Sequence, residues 1–374
     1  MMIKEFSKDI DIPDIVQIKA EDALSVIRQE GMNDMNREMN KNKPSISKLA
    51  VACITGVCVL GIGTSVYAYR NWNQMLTDKL QADSRVQEIS NQNGTSDFPE
   101  LSQTDAGVTV TADQTIVDQN FAYISFLVDG YTPEQGAQPA FQDVDITVDG
   151  QHYSTQAIFD DGMIVDEMGR SVHADGSPLR TDAEGNVIEQ AQYVQKDGKL
   201  YYEIILYSDG NSGCFLDQEI RVYLRNLGVY GENEGIQVAK EGNWSFAWKL
   251  SGNSSSQVYR INQTLGDTGF VIKEIELSPI SIRVASDVSG VSGMEQENAP
   301  RVYGVKLTDG TVHPFIVEGG WSRSDGGIYQ SLESTNRIIV PDDIASVLFF
   351  KDQLDEREGE YGYGEENLYE ISLH

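Results

Sequence analysis

The feature that most constrains this chain is an uncharged, apolar run at residues 49–69. At about 1.5 Å of rise per residue, a helix of this length is roughly as long as the hydrocarbon core of a bilayer is thick. A backbone in lipid must satisfy its own hydrogen bonds, so the run is predicted to be one transmembrane α-helix. A buried core helix is the alternative, but the 48 preceding residues are too few to surround it. Later cleavage near residues 66–68 remains open.

The charges on either side of this run predict its orientation. Within fifteen residues before the span lie Arg37, Lys41, Lys43 and Lys48, and within fifteen after it only Arg70 and Lys79. This bias predicts a cell-membrane protein with a cytoplasmic N-terminus and an extracellular remainder. Residues 1–48 carry 8 basic and 9 acidic groups, so about −29 of the net charge of −30 follows them. Such acidity excludes nucleic acid as a partner.

The predicted cytoplasmic segment, residues 1–48, carries one amphipathic helix. Pro13 and the acids beside it are typical of a helix start, and Gly31 of a helix end. Apolar residues at helical spacing form a stripe: Val16, Ala20, Ala23, Leu24 and Ile27. A lone helix with an uncovered apolar stripe is only marginally stable in water. This favours a partner protein that covers the stripe. A frayed terminal helix is the alternative.

The rest of the chain has the two-residue period of β-strands. Residues 70–105 are predicted to be a polar stalk or linker, the helix continuing to about residue 80. A first β-sandwich is predicted at 106–251, with a hairpin insertion at 160–190, and a second at 256–374. The strand at 120–128 is apolar on both faces and is expected to be central. Further strands are predicted at, among others, 200–207 and 337–340, and a hairpin turn at Asp309-Gly310. The fold class is therefore mainly β: two extracytoplasmic sandwich domains on a stalk, one transmembrane helix and a short helical cytoplasmic segment.

No pattern of catalytic, metal-binding or cofactor-binding residues was recognised. The four histidines are scattered, and zinc-ligand spacings, a nucleophile elbow and a phosphate-binding loop are all missing. The acidic insertion lacks the calcium-loop pattern, so hairpins are favoured over a calcium site. Trp244, Phe246 and Trp248 alternate along one strand face and are predicted to be core, a sugar platform being the alternative. Trp321, among glycines and serines, is the candidate exposed ring for ligand contact.

Several short motifs resemble those of a known bacterial group. They are DIPD at 11–14, GVTVT at 107–111, GNWSF at 242–246, LSPI at 277–280, VKLTDG at 305–310 and VPDDI at 340–344. The group consists of Gram-positive single-pass proteins with a β-rich ectodomain of unknown function, regarded as negative effectors of extracytoplasmic-function sigma factors. The resemblance implies an anti-sigma-like role. Residues 1–48 contain no His or Cys, so sigma binding would not use zinc.

These observations lead to two hypotheses for the function. The first is a membrane-anchored regulator that binds a sigma factor through residues 1–48 and senses envelope conditions through its ectodomain. The alternative is a cell-surface binding or adhesion protein, which contacts a cell-wall component and has no transcriptional role. An enzyme is not expected, because no catalytic constellation is recognised.

Overall fold

The computed structural model describes residues 72–374 apart from 167–169, 184–186, 196, 209–214, 232–234, 253–255, 292–300, 316–318 and 352–366. The predicted cytoplasmic segment, its apolar stripe and the predicted span lie outside these residues. The chain divides into two compact units, 1–65 and 66–374, and every described residue belongs to the second. Within the described ranges no helix has the length and apolar character needed to cross a membrane.

The described part begins with two short helices, α1 (Gln74–Lys79) and α2 (Ser84–Gln92). The side chain of Asn73 accepts a hydrogen bond from the Met75 backbone N–H, and that of Asp83 caps α2 in the same way. Asn73 has non-helical backbone angles, with φ −54° and ψ 132°. The predicted continuation of the membrane helix over residues 70–80 is therefore wrong, because a separate helix starts after Asn73.

The first half of the β structure contains two larger sheets. Its strands are β1 (Ser96–Asp97), β2 (Leu101–Asp105), β3 (Val108–Val117), β4 (Phe121–Asp129), β5 (Pro139–Val148), β6 (Ser154–Phe159), β7 (Met163–Val165), β8 (Ser171–His173), β9 (Leu200–Tyr207), β10 (Glu219–Tyr230) and β11 (Ile236–Lys249). Sheet 1 has the order β1-β3-β4-β9-β6, with β2 also paired to β3, and sheet 2 the order β11-β10-β5. Strands β7 and β8 form a separate hairpin within the predicted insertion.

The second half also contains two sheets, of five and four strands. Its strands are β12 (Gln257–Thr264), β13 (Val271–Leu277), β14 (Ser281–Asp287), β15 (Val302–Leu307), β16 (Val312–Pro314), β17 (Gly320–Asp325), β18 (Ile328–Ser334), β19 (Ile344–Phe350) and β20 (Leu368–Ser372). Sheet 3 has the order β12-β13-β14-β18-β17 and sheet 4 the order β16-β15-β19-β20. The predicted turn at Asp309-Gly310 joins β15 to β16, with Gly310 at φ +90°.

Side-chain alternation explains which strands lie where. In β10 the residues Ile220, Val222 and Leu224 are buried, and the residues between them are exposed, as in a sheet with one solvated face. In β4 both faces are buried from Phe121 to Phe126, and the strand is central in sheet 1, as predicted. The predicted core positions of Trp244 and Phe246 are also confirmed.

Three hydrophobic cores hold these layers together. A first core fills the space between sheets 1 and 2, and a second lies between sheets 3 and 4. The fold is thus mainly β, with two sandwich-like pairs of sheets. A third, bridging core joins the outer face of sheet 1 to sheet 3 through α1; its buried members are Trp72, Met75, Leu76, Leu80, Ala82, Ile116, Phe121, Tyr123, Ile205, Ile280, Leu332 and Ile338.

The structure differs from the sequence-based prediction in two segments. Residues 72–105 contain α1, α2, β1 and β2 and contribute to the bridging core, so they are folded and do not form a stalk. Residues 337–340, predicted as a strand, form none. Their backbone N–H groups instead form isolated hydrogen bonds to two other segments. The N–H of Ile338 donates to the carbonyl of Leu80 at 3.1 Å, and the N–H of Ile339 donates to the carbonyl of Pro279 at 2.8 Å.

The bridging core generates a prediction about stability. Leu76 is 0% exposed, so Leu76→Ala is expected to lower the free energy of unfolding by about 3 kcal/mol through lost burial and a residual cavity. Val258 on β12 is 52% exposed, and Val258→Ala should change the free energy of unfolding by about 0.5 kcal/mol or less. Urea unfolding of the full chain measures both values. If both variants changed the free energy of unfolding by the same small amount, the packing of α1 between the two halves would be contradicted.

Candidate functional site

The candidate site is the segment of residues 72–95, here called the connecting segment, where α1 meets both halves of the β structure. Its first polar anchor is Asn73. Its side-chain Nδ2 donates to Asp113 Oδ2 at 2.8 Å and to Ser125 Oγ at 2.9 Å, and its backbone N donates to Gln114 Oε1 at 2.9 Å. These acceptors lie on β3 and β4, so Asn73 fixes the start of α1 on the outer face of sheet 1.

A buried ion pair fixes the other end of α1. Lys79 Nζ lies 2.5 Å from Glu203 Oε2 on β9, and the two side chains are only 15% and 4% exposed. Removing water from both charges offsets much of their attraction, so the pair adds little net stability compared with apolar residues. Breaking the pair is costly, however, because it leaves one charge buried alone. The pair therefore ties the position of α1 to β9.

Asp160, immediately after β6, is a titratable group close to this ion pair. Burial raises the pKa of Asp160 to about 6, and the negative charge of Asp161 contributes, whereas the backbone N–H of Gly162 and the Lys79 ammonium act in the opposite direction. Its Oδ2 accepts a hydrogen bond from Gln195 at 2.9 Å. The outer face of sheet 1 therefore holds a carboxyl that changes charge near neutral pH.

The end of α1 and the start of α2 contact the second half. The Leu80 carbonyl accepts the bond from Ile338 already described, and the Gln81 side chain accepts one from the Arg337 guanidinium. Arg85 pairs with Asp343 at 2.8 Å, but both side chains are solvent-accessible, which makes this pair weak. The connecting segment thus contacts sheet 1 on one side and residues 337–343 on the other.

A second polar joint links the two halves directly. Asp118 follows β3 and is 1% exposed; it accepts hydrogen bonds from Ser281 Oγ at 2.6 Å and from Ser278 Oγ, both in the second half. The backbone N–H groups of Asn120 and Phe121 donate to its other oxygen at 2.7 Å. Burial raises the pKa of Asp118, although these four bonds oppose the shift. A buried carboxyl with this many partners fixes the local geometry.

The structure does not bring the sequence-predicted site residues together. The stripe at Val16, Ala20, Ala23, Leu24 and Ile27 lies outside the described residues. Trp321, predicted to be an exposed ring, is partly buried on β17 against the bridging core, and the Arg323 guanidinium lies 4.8 Å from its ring centroid. The ring is thus only partly exposed, and its contact with a ligand stays a prediction. In the part of the chain that the structure describes, no cluster of three or more potential metal ligands occurs.

Sequence reasoning did not identify the residues of the connecting segment. The available signal was local: Asn73 and Asp83 are preferred N-cap residues, and each precedes a few helix-forming residues. The pairing of Lys79 with Glu203 joins positions 124 residues apart and left no pattern in the sequence.

The raised pKa of Asp160 predicts a pH-dependent effect on stability. A carboxyl whose pKa is raised by folding stabilises the folded state below its unfolded pKa, and this contribution is lost as the pH rises through the folded value of about 6. Asp160→Asn removes the charge, so it should stabilise the chain relative to wild type at pH 7.5. This advantage should shrink by about 2 kcal/mol between pH 7.5 and 4.5.

Urea unfolding of both proteins at the two pH values tests this expectation. Asp145→Asn is a suitable control, because Asp145 is well exposed and replacements at exposed positions usually change stability little. A constant difference between Asp160→Asn and wild type across the range would contradict the assignment.

No protein-family model matches the chain, and no curated protein matches it. Among solved structures, it is similar to the crystal structure of a conserved domain protein from Bacillus anthracis, at 12% sequence identity and a TM-score of 0.40. The match covers 74% of this chain and 88% of that one. These values support no inference about function.

Proposed function

We propose that the chain is a membrane-anchored, anti-sigma-like signalling protein. Residues 1–48 bind a sigma factor in the cytoplasm, residues 49–69 cross the membrane, and the β structure lies outside as two sandwich-like sensor modules. The proposal rests on the predicted span, the uncovered stripe of residues 16–27 and the resemblance of the sequence motifs. No catalytic role is proposed.

One observation supports signalling across the membrane over simple anchoring. Helix α1 begins at Gln74, soon after the predicted span ends, and it lies in a core that both halves share. A stalk would isolate the membrane helix from movements of the ectodomain. A buried helix held by Lys79 and Asn73 would transmit them, because a change in how the two halves pack must displace it.

This arrangement also favours one mechanism of release. Residues 72–105 contain two helices and two strands, whereas proteases require an accessible and locally unfolded segment. The proposed signal is therefore a rearrangement at the bridging core that changes the position of the span. Cleavage near residues 66–68 would be a later step.

The test is capture of a sigma factor by the full-length chain from its native cells. The tagged chain should retain one sigma factor, and Leu24→Asp with Ile27→Asp should reduce its recovery about tenfold or more, because a charge in an apolar groove is costly. Ser25→Asp with Gln29→Asp is the matched control, since those positions lie on the opposite face of the predicted helix.

Two outcomes would contradict the proposal. Recovery of no sigma factor by a chain shown to be expressed would remove the transcriptional role and leave the cell-surface binding alternative. Equal recovery by the stripe variant and its control would remove the stripe as the binding surface.

A further inference from the structure

A cleft that the proposed signalling function does not use lies at the open side of the first half. It has a volume of about 510 Å³ and lies between β5 and β6, which are edge strands of sheets 2 and 1. Its walls are rich in aromatic rings: Phe141, Tyr153, Phe159, Tyr202 and Tyr230. Phe141, Phe159 and Tyr202 are buried members of the first core, so they form the floor of the cleft. Its volume lies within the range of known ligand sites.

One wall of the cleft has backbone groups that point away from the neighbouring strand. The backbone N–H of Asp160 donates to the Tyr201 carbonyl at 2.9 Å, and the register then alternates along β6 and β9. In an antiparallel pair only every second residue bonds the neighbouring strand, so Thr155, Ala157 and Phe159 direct their N–H and C=O groups away from β9. Among the described residues, no backbone hydrogen bond joins these three to another segment.

The sequence of β6 also lacks the charged residues and proline that commonly protect an edge strand from pairing. Natural edge strands are blocked by charges, proline, bulges or short length. Each other edge strand of the four larger sheets, over the ranges described, contains a charged residue or proline: β1, β2, β5, β11, β12, β16, β17 and β20. Strand β6 reads STQAIF and contains neither, and Ile158 is 41% exposed on it. An open, uncharged edge is a template for an added strand.

The charges around the cleft indicate which peptide would fit. Asp145 on β5 and His152 line the cleft, with 3.5 Å between Asp145 Oδ1 and His152 Nδ1, and the Asp145 side chain is 61% exposed. The chain as a whole carries a net charge of −30. A basic side chain would therefore be attracted to the cleft and would find a carboxylate there.

We propose that the cleft between β5 and β6 binds an extended peptide that adds a strand to β6. Apolar side chains at alternate positions of the peptide lie over the aromatic lining, and a lysine or arginine reaches Asp145. This binding site is independent of the membrane anchoring and sigma binding proposed above, so either proposal can fail without the other.

The test measures binding of a defined peptide to the purified full chain by fluorescence anisotropy. The probe is a labelled seven-residue peptide in which valine alternates with lysine and threonine. Two further peptides have the same sequence and carry a methyl group on every second backbone nitrogen. One is methylated at the odd-numbered positions and the other at the even-numbered positions. One of the two methylated forms should bind about tenfold more weakly or worse, because it loses the donors that pair with β6.

Protein variants locate the binding to the cleft. Thr155→Trp places a large ring at an exposed cleft position and should weaken binding about tenfold, because it occupies space that the peptide needs. Thr264→Trp on the exposed end of β12 is the matched control and should bind like wild type. Circular dichroism establishes that both variants are folded, and the methylated peptides test the same proposal without any variant.

Several results would overturn the proposal. Absence of saturable binding, or equal binding by both methylated peptides, would exclude strand addition. Binding of an N-acetylglucosamine oligosaccharide in place of the peptide would assign the cleft to a glycan. A dimer of the chain that Thr155→Trp dissociates would show that a second copy occupies the edge.

Discussion

The structure depends on the burial of α1 in a hydrophobic core that residues of both β modules share. Leu76 and Leu80 are both 0% exposed, and they pack with residues of sheet 1 and sheet 3 in one bridging core. Burying an apolar side chain of this size stabilises a fold by roughly 1.5–3 kcal/mol. The connecting segment therefore helps to hold the two modules together in one unit.

Sheet 1 is covered on both faces as a consequence. Its inner face contributes to the first core, whereas its outer face carries Gln114, Ser125 and Glu203, all buried. Buried polar groups require partners, and α1 supplies them through Asn73 and Lys79. The apolar and polar contacts thus favour the same position of the helix. On β9 the adjacent residues Tyr202 and Glu203 face the cleft and α1 respectively, so the two sites share one strand.

The fold could be predicted where local pattern and tertiary environment agree. Strand β9 was predicted over its full length, and β4 was placed at the centre of a sheet because both of its faces are apolar. Strand β6 was missed because STQAIF shows no clear alternation. Residues 337–340 were misassigned because Ile338, Ile339 and Val340 are typical strand residues. The backbone N–H groups of Ile338 and Ile339 donate to two different segments, however, and do not pair with one neighbouring strand.

The candidate site was beyond prediction for a related reason. The polar composition around residues 81–104 is typical of a linker, and only contacts to distant strands make this segment part of a core. The partial burial of Trp321 was not predicted because its Gly and Ser neighbours suggest full exposure, whereas its ring packs against a core formed by residues of both halves. Long-range packing of this kind leaves no periodic signal in one sequence.

Hydrogen–deuterium exchange of the full chain tests the central claim most directly. If α1 is buried between the modules, the backbone amides of Thr77 and Leu80, which bond the carbonyls of Asn73 and Leu76, should exchange as slowly as those of β4. Exchange at the rate of an unstructured peptide would contradict the account, because the segment would then be a flexible tether and not a shared core element.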